Sequence, residues 1–163
     1  MKKILTLVAI MFIASTASAQ VLLNNDFEDG TIGKWAPWQN KNDQVKIVEG
    51  NKAKDSQYAM CYRTGVMQNF GGVKEGETYK VSFDSNTVWG KYPGYVSIQF
   101  YNKETKKLEE VKKEAIPNDK GFKRVEFTFT AKSTSGHRIT VAPDGTKGGA
   151  EFIIDNMIIE LVK

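Results

Sequence analysis

One cysteine, one histidine and four prolines appear in 163 residues, and each scarcity closes off a chemistry. A lone Cys61 leaves no partner for an internal disulfide, and its apolar neighbours in "YAMCYRTG" suit a buried thiol. One histidine and one cysteine cannot make an ordinary zinc set. Charge of one sign is also lacking. The 23 Lys and Arg against 19 Asp and Glu give a net charge of +4, and they are interspersed, as in "NKETKKLEEVKKE". That mixture reads as a solvated face rather than the basic stripe of a nucleic-acid binder.

No long apolar run occurs either. Residues 4–13 form the longest, about ten residues, which is too short for a membrane-spanning helix. Lys2 and Lys3 precede it and Ala17-Ser18-Ala19 follows it, the pattern of a secretory signal peptide. Residues 1–19 are therefore expected to be removed, and no cysteine stands at the cleavage point to take a lipid. The remaining domain, residues 20–163, has about 144 residues, a net charge of about +2 and the size of one domain with a substantial core. Its expected place is outside the cytoplasm, secreted or periplasmic, with no membrane insertion.

What is present is alternation. "TYKVSFDSN" sets Tyr79, Val81 and Phe83 against Lys80, Ser82, Asp84 and Asn86. "YVSIQFY" sets Val96, Ile98 and Phe100 against Tyr95, Ser97, Gln99 and Tyr101. "FKRVEFTFT" sets Val125, Phe127 and Phe129 against Arg124, Glu126, Thr128 and Thr130. A period of two with β-branched and aromatic residues predicts half-buried strands. Shorter strands are expected at "QVKIV", "YAMCYR", "VMQNF" and "RITVA", and "EFIIDNMIIELV", apolar on both faces, should be central. Turn signals ("KEGE", "YPGY", "PNDKG", "PDGTKGG") separate them. The window "KETKKLEEVKKEAI" has no apolar stripe and reads as a charged hairpin connection plus a short strand. About nine or ten strands at this spacing predict an all-β fold, an antiparallel two-sheet sandwich.

The order "NNDFEDG … W", "EGETYKVSFDSNT", "VSIQFYN", "GFKRVEFTFTA" and "FIIDNMIIE" resembles carbohydrate-binding modules of the β-jelly-roll type. These are the glucan- and xylan-binding modules found beside polysaccharide hydrolases, related to galactose-binding-like domains. The resemblance spans essentially all of residues 20–163. It implies a structural calcium where the N-terminal segment meets the last strand, held by Glu28, Asp155 and backbone carbonyls, with Asp26 or Asn25 as further contributors. Calcium takes six to eight hard oxygens in flexible geometry. Turn chemistry is the competing account: Asp29-Gly30 suits a turn, and Asp155 suits a bulge where backbone amides donate to it.

Catalysis finds little support. Glycoside hydrolysis uses two carboxylates about 5–10 Å apart across a cleft. Asp26, Glu28 and Asp29 are too close in sequence for that, Glu109 and Glu110 sit in the charged connection, and Asp84 with Glu126 is the distant pair left open. His137, in "GHR", has no nucleophile motif to serve and is expected at the surface. Binding is better served. Sugars are held by aromatic rings on their apolar faces and by planar polar side chains on their hydroxyls. The loop "TVWGKYPGY" supplies Trp89, Tyr92 and Tyr95 for stacking, and Asp84, Asn86, Gln99, Tyr101 and Arg63 are the expected hydrogen-bonding residues, with Gln68 nearby. Trp35 is expected in the core, and Trp38 is open to either role. The resulting expectation is a non-catalytic module for a polysaccharide or oligosaccharide, without nucleic-acid binding. A protein partner on the same face is the alternative.

Overall fold

The computed structural model of the chain describes residues 20–49, 58–90, 93–144 and 150–162, apart from the side chains of Tyr58 and Cys61. The signal-peptide segment, the Cys61 thiol and Tyr92 lie outside the described residues. The described residues form eleven strands: β1 (Val21–Asn25), β2 (Ala36–Pro37), β3 (Val45–Glu49), β4 (Tyr58–Tyr62), β5 (Val66–Phe70), β6 (Thr78–Trp89), β7 (Gly94–Asn102), β8 (Lys107–Ile116), β9 (Lys123–Thr130), β10 (His137–Pro143) and β11 (Glu151–Leu161). No helix among the described residues is long and apolar enough to cross a membrane.

The strands form two antiparallel sheets. One has the order β3-β4-β11-β6-β9, with β1 also paired to β11, and the other has the order β2-β5-β10-β7-β8. The expected central strand is central: β11 lies against β6 along one edge, and along the other it meets β4 over Phe152–Ile154 and then β1 over Met157–Glu160. Alternation decides which side chains meet between the sheets. Tyr79, Val81 and Phe83 of β6 and Phe127 and Phe129 of β9 face Val96 and Ile98 of β7 and Ile139 and Val141 of β10 across one core. Trp35 joins them, almost wholly buried, with its indole N–H donating to Asn25 Oδ1 at 3.1 Å.

The chain changes sheet between β6 and β7. Two polar faces that follow one another in sequence therefore point out of opposite sides of the sandwich. β8 is longer than the short strand expected, running ten residues along β7. Its edge position explains its composition, because an edge strand with charges on both faces resists pairing with another chain. His137 is a second correction. It lies opposite Phe70 and Phe100 and is only 1% exposed. Stepping back by two from Val141 and Ile139 puts it on the inner face, so the period that builds the strand also buries the ring.

The acid-rich opening forms a tight turn. Phe27 plugs the core with a left-handed φ of 57°, and Gly30 N–H closes the turn on Phe27 C=O at 2.9 Å. Asp26 Oδ1 accepts from Glu28 N–H at 3.3 Å, and Asp29 Oδ1 accepts from Thr31 N–H at 2.9 Å. Both are side chains closing the backbone two residues on, as Asp does in turns.

Candidate binding cleft

The outward face of the β2-β5-β10-β7-β8 sheet carries the side chains that alternate with the core. Pairing sets them in rows: Met67, Thr140, Ser97 and Lys113 in one, and Asn69, Arg138, Gln99 and Glu110 in the next. Tyr95 flanks the first row and Tyr101 the second, six residues apart along β7, or about 20 Å at strand rise.

Three adjoining depressions follow this face. The first, an open cavity of about 670 Å³, is lined by Trp38, Arg63, Thr64, Gly65, Tyr95, Lys113, Ala142 and Asp144, among others. The second lies over the strand rows and shares Trp38, Tyr95 and Lys113 with the first. The third shares Leu108 and Arg138 with the second and adds Asn69, Tyr101, Lys103, Lys106, Ser135 and Gly136. Together they make one groove with aromatic side chains at three points along it.

Trp38 stands 47% exposed, its main-chain N–H donating to Gly65 C=O at 2.6 Å. Gly65 is required by that approach, since a Cβ there would meet the indole ring at 2.8 Å. Tyr95 is half-buried under the Lys113 ammonium, 4.2 Å from the ring centroid. Burial, aided by the Asp144 and Glu110 carboxylates, pushes its phenol above the ordinary tyrosine range, so the hydroxyl stays protonated and can donate. Tyr101 is 46% exposed, with Leu108 opposite it on β8. Glu110 accepts from Ser97 Oγ at 3.2 Å.

The expected binding residues divide. Tyr95, Gln99, Tyr101 and Arg63 line the groove. Trp89 lines none of the three depressions. It ends β6 opposite Glu151, donates its indole N–H to Glu151 Oε2 at 3.4 Å, and has the Arg63 guanidinium 6.0 Å from its ring centroid. Arg63 also pairs with Glu151, so these three side chains build a shoulder beside the first depression.

Asp84 and Asn86 are on the other sheet, facing away from the groove, because β6 and β7 belong to different sheets. Asp84 pairs with Arg124 (3.4 Å) and accepts from Asn156 Nδ2 (3.0 Å), while Asn86 Oδ1 accepts from Gly121 N–H (2.9 Å). Arg124 also pairs with Glu126 at 3.8 Å, so the Asp84 and Glu126 carboxylates flank a guanidinium rather than a cleft. Gln68 faces the core side of β5 beside Val66 and Phe70. Trp38, left open to either role, lines the groove, and Arg138, Thr140 and Lys113, which were not among the expected binding residues, join it. The polar setting of Trp38, which follows Pro37 in "PWQNKN", is the signal that separates it from Trp35.

Asp26 and Glu28 are exposed in the turn that follows β1, and Asp155 lies in β11. Asn25 pairs with Met157, and Asp155 lies at the irregularity where the strand beside β11 changes from β4 to β1. Asp155 is fully buried, and its Oδ1 accepts from Asn156 N–H at 2.7 Å, with Asn156 in a left-handed conformation. Among the described residues no three acidic, histidine or cysteine side chains gather as a metal-holding group. An ion at this junction would need main-chain oxygens to complete its shell.

A two-sheet jelly roll with an aromatic-lined groove on one outer face defines a class of binding module. The family model of the carbohydrate binding domain CBM_4_9 matches residues 19–146, and the chain belongs to that family. No curated protein sequence matches the chain. Among solved structures, it is similar to the CBM22-1 xylan-binding domain of Paenibacillus barcinonensis Xyn10C, with a TM-score of 0.68 and 18% identity over 89% of this chain and 96% of that one. It is also similar to the CBM22-1–GH10 modules of Clostridium thermocellum xylanase 10B complexed with xylohexaose (TM-score 0.67, 17% identity, 88% of this chain and 28% of that one). A third is TmCBM61 in complex with β-1,4-galactotriose (TM-score 0.56, 19% identity, 83% and 93%). At such identities the likeness is one of fold.

Proposed function

We propose that the chain binds a polysaccharide or oligosaccharide along the groove of the β2-β5-β10-β7-β8 sheet, without cleaving it. The observation that carries this reading is the placing of Trp38, Tyr95 and Tyr101 along one continuous groove, with amides and hydroxyls between them. Aromatic rings offer flat apolar platforms to sugar rings, and Gln99, Ser97 and Thr140 supply fixed hydrogen-bonding partners between them. The xylan, xylohexaose and galactotriose named for the similar structures support a glycan of this kind. The signal-like residues 1–19 support a site of action outside the cytoplasm. Affinity electrophoresis against soluble polysaccharides tests the reading. Retardation of the wild type with normal migration of Trp38→Ala is expected. Normal migration of the wild type in every polymer overturns the reading and leaves a protein partner as the occupant of this face. Release of reducing ends from a bound polymer would overturn the non-catalytic part alone.

Calcium belongs to the same proposal. The buried Asp155 of β11, with Glu28 three residues beyond the end of β1, would supply hard oxygens to a stapling ion whose remaining ligands are main-chain carbonyls. At tenfold excess over its dissociation constant such an ion adds about 1.4 kcal/mol to stability. Chelation with EGTA should then lower the melting midpoint by about 5 °C. An unchanged midpoint in calcium and in EGTA assigns the acids to turn and bulge alone.

A further inference from the structure

We infer that the groove takes an acidic glycan, with the carboxylate of a uronic-acid unit held at the end formed by Arg138, Lys103 and Lys106. This deepens the glycan-binding reading and rests on it. Arg138 is half-buried in the groove and stands between Asn69 and Gln99, both neutral. Its Nε–H donates to Asn69 Oδ1 at 3.2 Å, which fixes the guanidinium without neutralising it. Among the described residues it forms no ion pair, and neither does Lys103 or Lys106. The third depression contains all three cations and no carboxylate.

The contrast with the opposite sheet gives this weight. There Arg124, equally placed on an outer face, is paired with both Asp84 and Glu126. A partly desolvated guanidinium without a carboxylate costs free energy that an incoming anion recovers, and its planar fork suits a carboxylate in two-point contact. Tyr101 and Leu108, both substantially exposed, line the same depression. They offer an apolar platform for the ring of the unit whose carboxylate meets Arg138. Of the acids that line the groove, Glu110 belongs to the adjoining depression, across Gln99 on β8, and is engaged by Ser97 Oγ; Glu104, between the two lysines in sequence, and Glu109, held by Asn102 and Thr105, are not part of the lining.

Affinity electrophoresis of the full chain at low and high salt, in polygalacturonate, glucuronoxylan, neutral arabinoxylan and the sulfated polymer heparin, tests the inference. Stronger retardation by the carboxylated polymers than by arabinoxylan, with the difference collapsing at high salt, is expected. The double variant Lys103→Gln/Lys106→Gln should lower the acidic-to-neutral affinity ratio about tenfold, and Arg138→Gln should lower it at least as far. The lysine pair is exposed, so that variant tests charge even if Arg138→Gln fails to fold. Equal retardation by acidic and neutral polymers at all salt concentrations overturns the inference and leaves glycan binding standing. Retardation by heparin without polygalacturonate or glucuronoxylan overturns the carboxylate assignment. Normal migration in all four polymers overturns the inference together with the reading beneath it.

Discussion

Gly65 stands where a Cβ would come within 2.8 Å of the Trp38 indole, and its carbonyl accepts the Trp38 main-chain N–H. The ring therefore lies against bare backbone. Gly65→Ala should tilt the ring and weaken glycan binding by about threefold, while Trp38→Ala should weaken it by about tenfold or more, both read by titration with the bound polymer. Circular dichroism should be unchanged in each. His137 makes a different prediction. Its Nδ1 lies 2.8 Å from Ser135 C=O, so the proton sits there and a bare Nε2 faces the rings of Phe70, Phe100 and Phe129. Burial holds its pKa below the ordinary 6.5. The unfolded chain thus takes up the proton first as pH falls. The stability this gives is full above about pH 6.5 and is lost as pH drops toward the folded-state value, by up to about 1.4 kcal/mol per unit. Urea denaturation between pH 7.5 and 5.5 should show a smaller loss in His137→Phe than in the wild type. Parallel losses would remove His137 as the cause.

Among the elements, β6 and β7 show what alternation reveals and what it hides. The pattern in each identified the strand and sorted inner from outer side chains, so Phe83 and Ile98 were legible from composition and period, while Trp35 was legible from its place after the acidic turn. Sheet membership was not, because alternation is the same whichever sheet a strand joins. Asp84 and Gln99 read alike in sequence, yet they face opposite sides of the sandwich once the chain changes sheet between them. Arg138 was hidden for a related reason: "RITVA" reads as a short core strand, and the outward members Arg138 and Thr140 gain meaning only when β10 lies between β5 and β7. Asp84→Ala separates the two faces experimentally. It removes the Arg124 ion pair and the Asn156 hydrogen bond, so it should cost about 1–2 kcal/mol in denaturant unfolding and leave glycan affinity unchanged. A loss of affinity in this variant would place β6 back in the binding face.

For the whole molecule, the groove is built on a sheet whose other face is core. Val96, Ile98, Ile139 and Val141 anchor the same strands that present Tyr95, Gln99, Arg138 and Thr140. Binding to such a rigid face couples directly to unfolding. Glycan at a hundredfold excess over its dissociation constant should stabilise the fold by about 2.7 kcal/mol. That is a clear rise in melting midpoint by calorimetry, absent in Trp38→Ala. No shift in the wild type at that excess would mean that the polymer binds unfolded chain equally well.

The pairing of β1 with β11 puts Val21 opposite Glu160, so the backbone enters and leaves the sandwich at adjacent points, about 5 Å apart. Both points belong to the sheet remote from the groove. Spliced into a surface loop of an unrelated host, the sandwich would ask that loop to open no wider than a hairpin and would hold the groove on the side away from the splice. Inserted this way between the halves of a fluorescent protein, it would serve as a graftable sensing unit whose host keeps its own termini free.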